Sequence, residues 1–545
     1  MKTKFYITTP IYYWNWLPHV GHFYSSVIAN TIYKYHKISW YNSRFTTWID
    51  ENSQKAVIKA EEAGIPIMEY LDKMAMEHKK VWDFFWFDYT DFIRTTSERH
   101  HKLVQKVLDH CYKKWDIYEW IYEWMYCVGC EAFKKDDDLI DHPKSLLNKD
   151  GNIMKVCPDH LKEPDRIKEK NYFFKLSKYQ TWLEEFYEAN PSFVEPNFRF
   201  NEVIAFTKRW LEDFSISRET NTFWIPLPFD NSQVTYVWFD ALFNYYTSCY
   251  FSRAGDKNNK NFVDERDFWE NNPNKIHIIW KDIARFHAIF WPAMLASYFD
   301  LWEEKNWVLH YKKEDNKYLP TKILAGWFFT VDWQKMSKSL WNVIEPIEYS
   351  KKYSKELLTL YMLSAFSIWN DWDYDRKDAI LNYNAKLANN FWNLLNRVVV
   401  LWVKSWWKLD YSEKINLEEI QEYVDIFDKK IKSFDLKSSL DETFKFLDKL
   451  NKFVDTEKPW ELLKTDIEKA KEILYILAEW LRQVGLNLYS FFPEKMWELF
   501  ERLGLQNYVK KLEEGNLEEL RNKKESFNLE KKSGVLFEKF ELDEI

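Results

Sequence analysis

The sequence predicts an α/β protein with a doubly wound parallel sheet, followed by an all-α region. Strand-like runs at 5–12, 234–238 and 276–279 are rich in β-branched and aromatic residues, and helical stretches separate them. Strands that alternate with helices form parallel sheets, whose ligands bind beyond the carboxyl ends of the strands. After about Phe366 the apolar residues instead recur every three or four positions, as in 440–454, which predicts a helix bundle.

These changes of pattern divide the chain into segments, because 545 residues exceed what one hydrophobic core can hold. Short cysteine-containing loops near the middle of the first half indicate an insertion between two halves of the sheet domain. The predicted segments are the first sheet half (1–115), the insertion (116–231), the second sheet half (232–320), a loop region (321–365), the helical domain (366–505) and a C-terminal tail (506–545).

Composition restricts the class of protein. No run approaches the roughly 18 apolar residues of a membrane helix, and the N-terminus lacks a long apolar signal core, so we expect a cytoplasmic protein with no membrane partner. Five cysteines, three of them in one short region, suit a reducing compartment and a metal site. The net charge of -8 neither requires nor excludes RNA, which needs only local Lys and Arg.

Two histidines flank a glycine at the predicted start of a helix, in His19-Val20-Gly21-His22. Residues three apart on a helix share a face, and a helix N-terminus attracts anions, so both rings can reach one phosphate. Gly21 lets a nucleotide lie close to the backbone. The alternative interpretation is a polar helix cap with surface histidines, which so short a motif does not exclude.

A second short string, Lys335-Met336-Ser337-Lys338-Ser339, lies far along the chain. Two lysines three positions apart, beside small hydroxyl residues, can close over a triphosphate as mobile point charges. Lys335 and Lys338 would then follow the charge onto the departing pyrophosphate. An exposed basic loop is the alternative, but both strings in this order in one chain favour an ATP site.

In this order the two strings resemble the paired signatures of class I aminoacyl-tRNA synthetases. Longer matches narrow the resemblance to methionyl-tRNA synthetases; they cover 8–22, 50–55, 171–180, 215–218, 236–241 and 281–287. The resemblance implies a Rossmann-like catalytic domain, a zinc-knuckle insertion and an α-helical anticodon-binding domain. It also implies an ATP-dependent ligase that activates L-methionine to methionyl-adenylate and transfers it to the 3′ end of tRNA(Met), releasing AMP and pyrophosphate.

The resemblance assigns the substrate contacts by position. The implied methionine contacts are Ile11, Tyr13, Asp50, Trp238, Tyr245 and His287, and the implied ATP contacts are His19, Gly21, His22, Asp282, Lys335, Ser337 and Lys338. The implied catalytic residues are His19, His22, Lys335 and Lys338, and Mg²⁺ would accompany the ATP. A thioether favours aromatic walls and one carboxylate can hold an ammonium group. Core packing is the alternative role for the aromatic residues.

Four potential metal ligands occur as two pairs, Cys127 with Cys130 and Cys157 with His160. Three thiolates and one imidazole suit tetrahedral Zn²⁺, and the ion would be structural because protein fills all four positions. The alternative is a redox CxxC pair with an unrelated cysteine and histidine nearby. The resemblance implies a single knuckle with one zinc ion per chain.

Asn393, Arg397 and Trp460 match the anticodon-reading elements of the family. The first two share a helix face and can bond to base edges, while the indole can stack on an unpaired base. A helix surface with a buried tryptophan is the alternative. The resemblance implies recognition of the CAU anticodon of tRNA(Met), including initiator tRNA. We expect a monomer, since the β-barrel module that some members append for dimerisation does not follow.

Glycine and tryptophan occur in unusual numbers. The chain has 10 Gly and 30 Trp, whereas an average usage of about 7% would give roughly 38 glycines. Tryptophan stands where the family has, or readily accepts, glycine at Trp16, Trp40, Trp48, Trp86, Trp115, Trp120, Trp124, Trp210, Trp224, Trp280, Trp327, Trp333, Trp341 and Trp392. Trp238, Trp291 and Trp460 stand where the family has tryptophan. One hypothesis is that the gene uses UGA for glycine and was translated with UGA as tryptophan.

The rival hypothesis is that these tryptophans are real. Indoles at Trp280 and Trp333 would then overpack the ATP site, and the chain would be a non-catalytic, tRNA-binding homologue. Another class I synthetase is a further alternative. Synthetases for leucine, isoleucine and valine carry a large editing insertion, however, and this chain has no room for one.

Overall fold

The structure is a computed structural model. It describes residues 2–542 apart from 15–16, 128–131, 135, 148–150, 152, 159–160, 220–222, 252–264, 327–328, 332–342, 365–371, 404–407, 412–417, 523, 525 and 531–533.

Most of the strands that the structure describes lie in the first two thirds of the chain. They are β1 (Lys4–Thr8), β2 (Tyr12–Tyr13), β3 (Asn42–Asp50), β4 (Asp91–Arg94), β5 (Ile117–Cys127), β6 (Ala132–Lys134), β7 (Ile140–Asp141), β8 (Lys155–Val156), β9 (Asp165–Phe174), β10 (Val194–Glu195), β11 (Phe214–Ser215), β12 (Ser217–Arg218), β13 (Pro226–Leu227), β14 (Asp230–Thr235), β15 (Lys275–Trp280), β16 (Glu303–Lys305), β17 (Val308–His310), β18 (Lys322–Gly326), β19 (Phe329–Val331), β20 (Trp372–Tyr374), β21 (Leu409–Asp410) and β22 (Ser526–Phe527).

Helices surround the strands and then form the rest of the chain. They are α1 (Val20–Ile38), α2 (Gln54–Ala63), α3 (Ile67–Phe84), α4 (Glu98–Lys113), α5 (Gln180–Ala189), α6 (Asn197–Thr207), α7 (Val237–Leu242), α8 (Asn244–Tyr250), α9 (Arg266–Glu270), α10 (Trp291–Phe299), α11 (Pro346–Lys352), α12 (Lys355–Ser364), α13 (Arg376–Tyr383), α14 (Asn393–Val403), α15 (Glu418–Lys432), α16 (Leu436–Glu457), α17 (Pro459–Thr465), α18 (Ile467–Leu488), α19 (Pro493–Arg502), α20 (Tyr508–Glu513) and α21 (Leu517–Arg521). Two π-helical segments, Phe286–Phe290 and Asn384–Trp392, precede α10 and α14.

The central sheet is parallel and doubly wound, as predicted. Its strand order is β10-β18-β15-β1-β3, with β2 and β4 both paired to β3, and each of these pairings is parallel. Successive residues of β1 face two different cores: Phe5 and Ile7 pack on one side of the sheet and Tyr6 on the other. The chain order reverses between β1 and β15, which is where such sheets bind ligands.

Two predicted strands differ from the structure. The run 5–12 is split, because β1 ends at Thr8 and β2 begins only at Tyr12, on the other side of Pro10. The run 234–238 is not a parallel strand: β14 ends at Thr235 and pairs in antiparallel fashion, and α7 begins at Val237. Short apolar runs of this kind suit a buried strand or a buried helix equally well.

The segment predicted as an insertion contains antiparallel sheets, one of order β11-β9-β5-β6 and one of order β12-β14-β13. One part of it joins the central sheet, since β10 pairs with β18. The segment boundaries stay a prediction.

The helical region after α12 confirms the periodicity found in the sequence, because α16 buries Leu440, Phe444, Leu447, Leu450 and Val454. The segment predicted as a C-terminal tail packs onto this region. It buries Leu529, Leu536 and Phe537, and the Asn384 side-chain amide donates a hydrogen bond to the Phe540 carbonyl at 2.7 Å. No helix in the described parts of the chain is both long and apolar enough to cross a membrane.

Glycines end three helices in the left-handed conformation. Gly64, Gly504 and Gly515 have φ of 67°, 72° and 91°. In each case the N–H of the following residue bonds to the carbonyl five positions before it, at 2.8 to 3.2 Å. This Schellman arrangement favours glycine, because a side chain makes the left-handed conformation unfavourable.

Gly504→Ala should destabilise the chain more than Gly64→Ala does. Both changes place a methyl group on left-handed backbone, which costs about 1 kcal/mol. At Gly504 the new Cβ would also lie 2.1 Å from the Asn528 carbonyl oxygen, whereas at Gly64 it meets nothing within 4 Å. We expect an additional loss of about 1–3 kcal/mol for Gly504→Ala. Chemical denaturation of both variants measures the difference, and equal losses would contradict this account.

Candidate functional site

Four of the predicted substrate contacts lie near one edge of the central sheet. His19 and His22 follow β1, Asp50 is the last residue of β3, and Asp282 lies two residues after β15. Since these strands are parallel, their carboxyl ends meet at the same edge, at the reversal between β1 and β15. Residues from three distant parts of the chain therefore lie near the same edge of the sheet.

The two histidines cap α1. The His19 ring accepts a hydrogen bond through Nδ1 from the Gly21 N–H at 3.0 Å, and the His22 ring accepts through Nδ1 from the His19 N–H at 3.2 Å. A neutral imidazole that accepts through Nδ1 carries its proton on Nε2. Both rings, whose centroids are 4.1 Å apart, are thus hydrogen-bond donors at a helix N-terminus.

His22 is buried, and burial is the main reason that its pKa lies well below the ordinary value; nearby His19 and His78 lower the pKa further. The ring of His78 is 5.9 Å from that of His22. The sequence analysis missed His78, since it lies on α3 in no recognisable motif. His22 therefore acts as a neutral donor rather than as a cation.

An indole lies against these histidines. Trp280, the last residue of β15, has its ring 5.8 Å from that of His22 and 5.9 Å from that of Tyr12. The Tyr12 hydroxyl in turn donates a hydrogen bond to the His22 carbonyl at 3.2 Å. The volume beside the α1 cap is thus partly filled by tryptophan.

Tyr245 and His287 form a buried hydrogen-bonded pair, with Oη and Nε2 2.6 Å apart. His287 also lies 2.9 Å, through Nδ1, from the Ile283 carbonyl, so this ring carries its proton on Nδ1 and accepts from Tyr245. Burial lowers the pKa of His287 to about 4, despite that carbonyl contact. The pair presents a neutral, polarisable surface.

Aromatic rings continue this surface. Trp238 stacks on Phe286 with ring centroids 3.8 Å apart, and Trp48 lies 4.2 Å from Tyr245. The Trp48 indole N–H donates to the Pro10 carbonyl at 2.7 Å, close to the predicted contact Ile11, which is buried. The sequence analysis missed Phe286, although it immediately precedes His287.

Asp50 is buried at the end of β3, and its carboxylate accepts hydrogen bonds from the Asn52 N–H and from the Thr95 hydroxyl, both at 3.2 Å. The Asn52 side-chain amide donates to the Asp240 carboxylate at 2.7 Å. Burial, and then the charge of Asp50, raise the pKa of Asp240 well above its ordinary value. Asn52 thus connects two buried carboxyl groups.

The remaining predicted contacts are placed as follows. Tyr13 ends β2 and is partly buried, and Asp282 is exposed. Lys335, Ser337 and Lys338 lie outside the described residues.

The predicted zinc ligands are described only in part. Cys127 ends β5 and Cys157 follows β8; both are buried and neither forms a disulfide. Cys130 and His160 lie outside the described residues, among which no three His, Cys, Asp or Glu side chains are grouped as a metal site. Two buried thiols, one at the end of β5 and one just after β8, are donors of the kind that Zn²⁺ prefers, so the donor set fits.

A second group of predicted residues meets in the helical region. Arg397 on α14 lies with its guanidinium carbon 5.6 Å from the ring centre of Trp460 on α17, and it pairs with Asp455 at 2.5 Å. Asn393, at the start of α14, is exposed, and Trp460 is 37% exposed. A cation and an exposed indole therefore share one surface.

Comparison with known proteins gives a consistent result. A family model described as tRNA synthetases class I (M) matches residues 5–399. A methionine–tRNA ligase of Fusobacterium nucleatum is 35% identical over 553 residues, covering 100% of this chain and 81% of the relative. One of Thermotoga maritima is 33% identical over 520 residues, covering 92% and 76%. Methionyl-tRNA synthetase of Mycobacterium tuberculosis, solved with methionyl-adenylate, aligns with a TM-score of 0.85 at 25% identity, covering 98% of this chain and 100% of that one.

His287 should make the fold sensitive to acid. Its folded pKa is about 4, whereas in the unfolded chain it titrates near about 6.5. Between these values the unfolded state binds more protons, so the free energy of unfolding falls as the pH drops from about 6.5 towards 4, by up to about 1.4 kcal/mol per pH unit. Above about pH 6.5 the contribution is complete. Urea denaturation at several pH values should give a shallower decline for His287→Gln, and parallel curves would contradict the assignment.

Proposed function

We propose roles for individual residues on one premise: the chain belongs to the methionine branch of the class I tRNA synthetases. It is an ATP-dependent aminoacyl-tRNA ligase that activates L-methionine to methionyl-adenylate and transfers it to tRNA(Met). The observation that carries the residue assignment is the buried Tyr245–His287 pair, together with His19 and His22, which cap α1.

Methionine would bind between this pair and the stacked rings of Trp238 and Phe286. A thioether is apolar and polarisable, and here it meets aromatic rings and an imidazole that stays neutral above about pH 4. Ile11 and Tyr13 would complete the pocket. Asp50 would hold the α-ammonium group, because a buried carboxylate in an apolar site gains most from a cationic partner.

ATP would lie with its phosphates at the N-terminus of α1. His19 and His22 would donate Nε2–H hydrogen bonds to phosphate oxygens, with Gly21 allowing close approach to the backbone. Asp282 would lie near the ribose. Mg²⁺ would accompany the phosphates and offset part of their charge.

Activation then needs positioning more than acid–base chemistry. A carboxylate oxygen of methionine attacks the α-phosphorus, the bond to the bridging oxygen of the β-phosphate breaks, and pyrophosphate leaves. A hydroxyl group of the tRNA 3′ adenosine next attacks the carbonyl carbon and releases AMP. We propose that Lys335 and Lys338, with Ser337, stabilise the negative charge that develops on pyrophosphate in the first step.

A structural zinc ion would be held by Cys127, Cys130, Cys157 and His160, and it would stabilise the insertion rather than take part in the reaction. The burial of the Cys127 and Cys157 thiols supports this assignment. A zinc site with three thiolate ligands also suits the proposed cytoplasmic location.

The helical region would read the CAU anticodon of elongator and initiator tRNA(Met). Trp460 would stack on an unpaired base, while Asn393 and Arg397 would bond to base edges. The proximity of Arg397 to the exposed Trp460 supports this assignment, since the two come from separate helices. We propose that the protein acts as a monomer.

Exchange of labelled pyrophosphate into ATP tests the amino-acid assignment in protein purified from its natural source. Only L-methionine among the standard amino acids should support exchange. Asp50→Asn in active recombinant protein should reduce kcat/KM for methionine by about 100-fold, as expected for the loss of a charge-assisted bond of about 3 kcal/mol. The same change at exposed Asp267 is the matched control. Exchange supported by another amino acid would contradict the assignment, as would an unchanged kcat/KM for methionine in Asp50→Asn.

Trp460→Ala should separate the two steps of the reaction. Stacking on a base contributes about 1–3 kcal/mol, so kcat/KM for tRNA should fall about 5- to 100-fold while methionine-dependent exchange is unchanged. Phe198→Ala, at a ring that is 43% exposed on α6, is the control. Equal aminoacylation by Trp460→Ala and Phe198→Ala would refute the anticodon role.

A further inference from the structure

Several tryptophans occupy backbone that favours glycine. Of the eleven non-glycine residues with positive φ among those the structure describes, five are tryptophan. They are Trp40, Trp86, Trp115, Trp210 and Trp307, with φ of 69°, 55°, 61°, 68° and 68°. All five are at least 55% exposed, so packing of the indole does not explain the conformation. Bulky residues are rare on left-handed backbone, and glycine is its usual occupant.

Three of these tryptophans end helices in the same way as the chain's own glycines. Trp40, Trp86 and Trp115 come one residue after the C-caps of α1, α3 and α4. In each case the N–H of the next residue bonds to the carbonyl five positions earlier, at 2.9 to 3.1 Å. This is the Schellman arrangement of Gly64, Gly504 and Gly515, in which glycine is the commonest residue.

Trp307 lies in a different structure that also favours glycine. Lys305 pairs with Val308 across the β16–β17 hairpin, which leaves Asn306 and Trp307 as a two-residue turn. Both have positive φ, 52° and 68°, as in a type I′ turn. Asn-Gly is the preferred pair at these two positions. Tryptophan therefore occupies positions that favour glycine in two unrelated structures, the ends of helices and a hairpin turn.

We propose that UGA codons in this gene are translated as glycine, so that the natural protein has glycine at positions 40, 86, 115, 210 and 307. Tryptophan accounts for five of the eleven positions and no other residue type for more than one, which points to a codon rather than to scattered mutation. The backbone carries this inference without reference to relatives, and it adds Trp307 to the positions identified from the sequence. Trp16, Trp327, Trp333 and Trp341 lie outside the described residues.

Translation of UGA as glycine would also change the substrate site. This consequence rests on the proposed function. Trp280 lies against His22 and Tyr12, and Trp48 lies against Tyr245. Glycine at these two positions would open space beside the α1 cap and beside the methionine pocket. The chain as translated would instead have an indole where the nucleotide meets the histidines.

Codons and peptide masses test the proposal directly. The codons for positions 40, 210 and 307 should be UGA, whereas that for Trp460 should be UGG. In protein from the natural source, tryptic peptides 38–44, 210–218 and 306–312 should contain glycine, and peptide 453–464 should retain tryptophan as the internal control. Tryptophan in the first three peptides would overturn the proposal.

Recombinant proteins test the effect on backbone and site. In the chain as translated, Trp307→Gly should raise the melting temperature by about 2 °C, while Trp307→Ala should not, because alanine keeps the Cβ. Equal shifts would overturn the conformational argument.

The second experiment uses a chain with glycine at every UGA position. Its rate of pyrophosphate exchange should fall at least tenfold when Trp280 alone is retained, and should not change when Trp307 alone is retained. Unchanged exchange with Trp280 would overturn the proposed opening of the site.

These outcomes separate the two proposals. Glycine-containing peptides from a protein without methionine-dependent exchange would leave the codon reading intact and refute the residue roles. Tryptophan-containing peptides from an enzyme with methionine-dependent exchange would refute the codon proposal and leave the residue roles intact.

Discussion

Parallel pairing of β1 with β3 and β15 is the constraint on which the rest of the site depends. It brings the ends of three distant strands to one edge, and the reversal of strand order beside β1 keeps that edge open between the helices. Asp50 is the last residue of β3, and the α1 cap and the π-helical segment with His287 follow β1 and β15 along the chain. Backbone pairing thus fixes the edge from which the chain leaves the sheet towards each of them.

The site, as far as the structure describes it, contains little positive charge. Burial keeps His22 and His287 neutral, because a charged imidazole loses its hydration there. Asp50 and Asp240 are both buried and are connected through Asn52. A buried carboxylate gains from a cation, and in the proposed roles the ammonium group of methionine supplies one. The charge of the phosphates would be offset by Lys335, Lys338 and the metal that accompanies ATP.

Much of this arrangement was predictable from the sequence, since it depends on local patterns. Strand and helix periodicity predicted the doubly wound sheet and α16, a short motif predicted His19 and His22 at a helix start, and the family resemblance supplied Asp50. Contacts between remote residues were not predictable: nothing in the sequence indicates that His78 lies beside His22 or that Phe286 stacks on Trp238, and the run 234–238 has a composition that suits either a strand or a helix. Left-handed φ values cannot be read from a tryptophan, so the sequence alone did not single out Trp307.

The π-helical segment Phe286–Phe290 has a consequence for how this chain can evolve. The Ile283 carbonyl, one turn earlier, accepts a hydrogen bond from the His287 ring. A π-helical turn holds one residue more than an α-helical turn, so deleting one residue here would restore ordinary α-helical winding and move the His287 ring away from that carbonyl, while α10 would keep its place. A deletion inside an ordinary α-helix would instead rotate every later side chain by about 100° about the axis. The number of residues in this stretch, and not their identity alone, therefore sets where the His287 ring lies.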